Sequence, residues 1–145
     1  MPTETFRHTV HTDVPPATVW EALDEEETWS KIPGVDRILS AERDASGDLQ
    51  AFNFEANVGG RAYVGRATIA ERSAPERILW RIQTPDLGGT VGVDIQPEGD
   101  GTLLAVEVMV QVDGFLAAMF FPVITAALGR GFGEAVEDFA ASFTA

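Results

Sequence analysis

Two histidines and a single tyrosine are the side chains of this 145-residue chain best suited to proton chemistry. His8 lies in a stretch that alternates residue by residue, Phe6, His8, Val10 and Thr12 against Arg7, Thr9, His11 and Asp13, which is the period of a strand with one buried face. A partly buried imidazole in that setting could serve as general acid or base near neutral pH. The plainer role, a ring bonded to a neighbouring backbone group, is the stronger expectation for a lone histidine. His11 is three positions on and points to the opposite face, so the pair does not form a shared metal site. With two histidines and no cysteine, three-histidine sites, thiolate zinc, iron–sulfur clusters, disulfides and a cysteine nucleophile are all excluded.

Other motifs favour bland readings. The acidic run from Asp24 to Glu27 lacks the ligand spacing and central glycine of an EF-hand loop and reads as a solvated helix end. Gly129-Arg130-Gly131-Phe132-Gly133 matches neither glycine-rich phosphate fingerprint and falls within a helical pattern, where close packing explains it better. No Gly-x-Ser-x-Gly nucleophile motif occurs. Neither a metal nor a cofactor is expected. Arg61, Arg66, Arg72, Arg77 and Arg81 make up half of the ten basic residues; the expectation is an outer sheet face paired with Glu55, Glu71, Glu76 and Asp94, and the sharper alternative is an acid-binding rim.

Ten basic residues against 23 acidic ones give a formal charge of −13, which repels phosphate backbones and anionic membrane surfaces. Nucleic acid is therefore not an expected partner. The apolar content of 45% suits a globular domain, and the length suits one domain, 1–145, without staples. Met1 to Thr12 contain charges and no apolar run, so no signal peptide is expected. Together with the lack of cysteine this is compatible with a cytoplasmic location.

These side chains need elements to position them. After the first strand, Pro15-Pro16 opens a short helix from Ala17 to Leu23, and Thr28 to Ile32 makes a second helical turn closed by Pro33-Gly34. Six strand-length segments follow, over 35–42, 49–58, 61–72, 77–84, 89–96 and 102–112, joined by hairpin-length turns that imply an antiparallel meander. From Phe115 to Phe143 a helical stripe returns, and its register runs on through Gly129, Gly131 and Gly133, so one long helix containing those glycines is predicted. Between Gly114 and Gly129 there is no charged residue, yet the stretch is too short to span a bilayer and contains Pro122. The face between Phe115 and Leu128 that is left over from packing is the expected contact for a second copy of the chain or a protein partner, or a gate over a cavity. The architecture predicted is α+β: a seven-stranded curved antiparallel sheet, two short helices after the first strand, and a long C-terminal helix across the concave face.

In this order of elements the chain resembles the START and polyketide cyclase superfamily, also called SRPBCC, with its helix-grip fold. The resemblance rests on the opening strand followed by Asp13-Val14-Pro15-Pro16-Ala17-Thr18-Val19-Trp20, the turn Ile32-Pro33-Gly34-Val35, the Gly59-Gly60 turn and the closing helix. Ile32-Pro33-Gly34 and Val112-Asp113-Gly114-Phe115-Leu116 look most like the carbon monoxide dehydrogenase accessory branch of that superfamily. The resemblance implies a cavity between sheet and helix that takes a small hydrophobic or aromatic ligand, lipid- or polyketide-like. Inward alternation predicts its lining as His8, Phe52, Phe54, Tyr63, Trp80, Val93, Val106 and Val108 from the sheet, facing Phe120, Ile124, Leu128 and Phe132 from the helix. Two other functions stay open: a polyketide cyclase or dehydratase in which His8 or Tyr63 moves protons, and an accessory protein for assembly of an oxidoreductase. No catalytic residue is carried over, because the superfamily has no universal catalytic signature.

Overall fold

The computed structural model describes residues 3–31, 35–58, 61–85, 87–112, 126 and 131–143. Strand β1 (Thr3–Thr12) is followed by helix α1 (Pro16–Leu23) and a 3-10 turn (Glu26–Lys31). Six further strands come next: β2 (Val35–Arg43), β3 (Leu49–Val58), β4 (Arg61–Ser73), β5 (Arg77–Gln83), β6 (Leu87–Glu98) and β7 (Gly101–Val112). Helix α2 (Phe132–Ala141) closes the described chain. The strands form one antiparallel sheet in the order β1-β7-β6-β5-β4-β3-β2. Sequential hairpins account for β2 through β7, and β1 completes the sheet by pairing with β7, Thr3 opposite Gln111 and Thr12 opposite Thr102.

Alternation dictates which side is buried. Leu104 and Val106 are wholly buried on β7, as are Ile78 and Trp80 on β5 and Val93 on β6, while the intervening Arg77, Arg81 and Glu107 turn away. Register shifts between Glu42 and Arg43 and between Ile69 and Glu71 mark irregularities of the kind that bend a sheet. Among the described residues, the covering layer on the buried side comes from three pieces. Helix α1 starts with Pro16 in its first turn and buries Val19 and Leu23. The 3-10 turn buries Trp29, whose Nε1–H donates to the Leu23 carbonyl at 2.9 Å. Helix α2 packs on β1 and on the 3-10 turn through Val136, Phe139 and Ala140. Ring contacts knit these pieces together, Trp29 to Phe139 at 6.0 Å, Trp29 to Trp80 at 5.6 Å and Phe139 to Phe143 at 5.1 Å between centroids.

Helix α2 corrects the expectation of one unbroken rod through the glycines. Gly131 has φ +68°, the left-handed region, and precedes the first helical residue. A right-handed helix does not pass through such a residue, so α2 begins at Phe132 and its ten residues span about 15 Å. The apolar stripe Phe132, Val136, Phe139 and Phe143 is buried, and Glu134, Glu137 and Asp138 face out. Phe120, Ile124 and Leu128, the Ile32-Pro33-Gly34 turn and the contact expected between Phe115 and Leu128 lie outside the described residues.

The acidic run after α1 is also reassigned. Asp24 is no solvated helix end: its carboxylate accepts from the Leu49 N–H at 2.8 Å and pairs with Arg43 at 3.1 Å and Arg72 at 3.4 Å. Arg72 also donates to the Leu49 carbonyl and lies 5.9 Å over the Trp20 ring. This cluster ties the first helical layer to β2, β3 and β4. Among the described residues, no helix is long and apolar enough to cross a membrane.

Candidate ligand-binding site

The main core cluster of the described residues lies on the concave face. Val93 and Val106, expected to line a cavity, are 0% exposed within the main core cluster beneath the helices. A hollow adjoins them on the same face. It is walled by Trp29, Val35, Phe52, Phe54, Trp80, Ile82 and Val91. Its atom-free space, including its open side, is about 250 Å³, of which about 20 Å³ is wide enough for the centre of a water molecule.

The aromatic wall follows from pairing large residues with small ones across neighbouring strands. Phe52 sits opposite Ala67 and Phe54 opposite Gly65. A side chain at Gly65 would meet the Phe54 ring, its Cβ falling 2.5 Å from Cζ, so the ring occupies the space that glycine leaves. Phe52 then meets Trp80 at 5.0 Å between centroids, tilted at 62°, and Phe54 at 6.1 Å. Trp80 is 0% exposed, and its Nε1–H has no hydrogen-bond partner among the described residues. A buried donor left unpaired costs roughly 1–3 kcal/mol, which marks the wall as incomplete in its polar pairing.

The remaining expected lining residues are dispersed. Tyr63 is buried in a second cluster with Leu87, Val110 and Val112, and half-buried Val108 bridges that cluster and the main core. His8 is half-buried on the concave side, where its ring lies against Gly133: a Cβ there would fall 3.1 Å from Cε1 and from Nδ1. Phe132 stacks at 5.7 Å on Phe6 beside it. His11 emerges on the other face, with a carboxylate at each ring nitrogen, Glu98 at 2.7 Å and Asp13 at 3.2 Å. Those hydrogen bonds, Glu98 first, raise its pKa above the ordinary histidine value. Of the wall, Trp29, Val35, Ile82 and Val91 are additions that alternation alone did not single out. Trp29 carried the one usable signal, a large apolar residue within an acidic stretch.

The arginines are paired more widely than expected. Arg77 bonds Asp94 at 2.6 Å and approaches Glu71 at 3.3 Å, but Arg66 takes Glu42 and Arg37 takes Glu55. Arg72, expected on the outer face, instead pairs with Ile78 on the core side and reaches Asp24 of the helical layer.

A bent antiparallel sheet gripping short helical layers on one side, with an aromatic hollow between, defines an α+β, helix-grip class of fold. The chain belongs to the polyketide cyclase/dehydrase and lipid transport family, whose profile matches residues 3–144. Among solved structures it is similar to a START superfamily protein from Mycobacterium smegmatis, with TM-score 0.73 and 18% identity over 97% of this chain and 99% of that one. It is also similar to the Zhui aromatase/cyclase from Streptomyces sp. R1128, with TM-score 0.72 and 14% identity over 97% and 94%. The di-domain aromatase/cyclase BexL of the BE-7585A biosynthetic pathway matches over 97% of this chain and 50% of its own, with TM-score 0.61 and 19% identity. No functionally curated protein matches.

Proposed function

We propose that this chain binds a small hydrophobic or aromatic ligand carrying a hydrogen-bond acceptor, such as a polyketide-like carbonyl compound, against the wall of Trp29, Phe52, Phe54 and Trp80. The observation that carries this reading is Trp80, wholly buried at the hollow with its indole N–H unpaired among the described residues. Aromatic side chains among its lining favour an apolar or aromatic guest, and an oxygen on a guest that reached the indole N–H would satisfy the donor. In this reading His8, Tyr63, Val108, Phe132 and the expected residues Phe120, Ile124 and Leu128 extend the lining beyond the small described hollow. Family membership and the likeness in fold to an aromatase/cyclase support the ligand class.

The test compares 2-acetylnaphthalene with naphthalene by fluorescence titration. Trp80→Phe should weaken the ketone by about tenfold and leave the hydrocarbon unchanged, since a hydrogen bond to a buried donor is worth on the order of 1 kcal/mol or more. Phe54→Trp should fill the hollow and abolish both. Unaltered binding in both variants would refute the site. Native mass spectrometry of freshly purified protein would name the natural ligand.

A second reading, a cyclase or dehydratase using the same cavity, is favoured by His8, half-buried on the concave side with no hydrogen-bond partner among the described residues. It requires that His8→Gln retain binding of a poly-carbonyl substrate and lose its turnover. Equal turnover in both proteins would dismiss it.

A further inference from the structure

The face of the sheet opposite the core carries a second concavity, of about 370 Å³, around the start of β6. That volume lies within the range of small-molecule sites. Three adjacent strands build it in two rows: Gln83, Gly88 and Gln111 stand side by side, and next to them Arg81, Thr90 and Met109. Gly88 is the floor. It carries no side chain between the two glutamines, so the trough exists because a side chain is absent there.

Among the described lining residues, Arg81 is the charged group of this trough. Arg7, Arg37, Arg43, Arg66, Arg72 and Arg77 each hold a carboxylate. Arg81 holds none among the described residues, although the chain carries 23 acidic side chains. Gln83, Thr90 and Gln111 around it likewise have no side-chain hydrogen bond among the described residues. A planar guanidinium beside neutral amide and hydroxyl donors matches a carboxylate, which takes two parallel N–H bonds from arginine and further bonds from the amides. A single cation in a strongly acidic protein suits a monoanion better than a phosphate dianion, which the surrounding field repels more strongly.

We propose that this outer trough is a binding site for a small organic carboxylate, separate from the concave hollow. Gly88 provides the space, Arg81 the countercharge, and Gln83, Thr90 and Gln111 the neutral donors. The proposal does not depend on what the hollow binds.

The test is an NMR titration of the full chain with benzoate, with benzamide and inorganic phosphate as comparators. Benzoate should move the amides of Gly88, Thr90 and Met109 saturably, and benzamide and phosphate should bind at least about tenfold more weakly. Arg81→Leu should weaken benzoate by about tenfold or more. Gly88→Leu should do the same by filling the trough; a Cβ at Gly88 meets nothing closer than 3.7 Å, so the variant keeps the fold. Shifts confined to concave-face groups such as the Trp80 indole, phosphate binding as tight as benzoate, or undiminished benzoate binding by Arg81→Leu would overturn the proposal.

Discussion

The aromatic wall depends on a size match between neighbouring strands, and Gly65→Ala tests it directly. Gly65 does not have the positive φ that disfavours side chains, so alanine meets no backbone penalty there. The whole cost is steric: the new Cβ would lie 2.5 Å from Cζ of Phe54, 3.0 Å from its Cε1 and 2.8 Å from Cγ2 of Thr84. Overpacking of a dense core costs typically about 1–3 kcal/mol, and we expect about 2 kcal/mol for Gly65→Ala. Phe54→Leu removes the ring atoms responsible. In that background alanine should cost at most a few tenths of a kcal/mol, because relief of unfolded-state entropy and better strand propensity offset the residual push on Thr84. The coupling between the two sites should therefore exceed about 1 kcal/mol. Urea denaturation of the four proteins measures it, and the same set titrated with naphthalene shows whether the displaced ring enters the hollow and blocks the probe. Additive stabilities within about 0.5 kcal/mol, with naphthalene binding unchanged, would refute the size-match argument.

Two further predictions are independent of the ligand. His11 should titrate above the ordinary histidine value of about 6.5, because Glu98 and then Asp13 favour its charged form. Its contribution to stability is thus complete below the unfolded-state pKa and is lost as pH rises through the higher folded-state pKa; NMR titration should show the value falling toward 6.5 in Glu98→Gln, and a native value at or below 6.5 would contradict the pairing. Gly131→Ala should destabilise the chain by about 1–2 kcal/mol through its left-handed backbone alone, since a Cβ there meets nothing within 4 Å. Thermal melting checks this, and an unchanged midpoint would restore the continuous-helix reading.

Much of the fold was legible because strands announce themselves by alternation and hairpins by turn length. The period of two placed Leu104, Val106 and Val110 on one face of β7 and set His8 and His11 on opposite faces of β1. The break at Gly131 was not legible, because the apolar stripe keeps its helical register on both sides and only the φ angle reveals the interruption. Asp24 was misread for a related reason. Its partners Arg43 and Arg72 are remote in sequence, and no local pattern foretells a carboxylate shared by elements that meet only after folding. The wall of the hollow was half visible: Phe52, Phe54 and Trp80 alternate inward, whereas Trp29 reaches the same place from a 3-10 turn whose orientation depends on the Leu23 carbonyl that holds its indole. That Arg81 has no carboxylate partner among the described residues was likewise a matter of register, which composition does not encode.

The pairing of β1 with β7 has a consequence for how the molecule is made. Thr3 finds Gln111 and Thr12 finds Thr102, so β1 is synthesised well before its partner β7, and neither acquires this neighbour until both are made. Until then β1 and the meander each present an unsatisfied edge to the cell. Closure over so long a separation is entropically slow, so the nascent chain should depend on its high negative charge to stay apart from its own copies during synthesis.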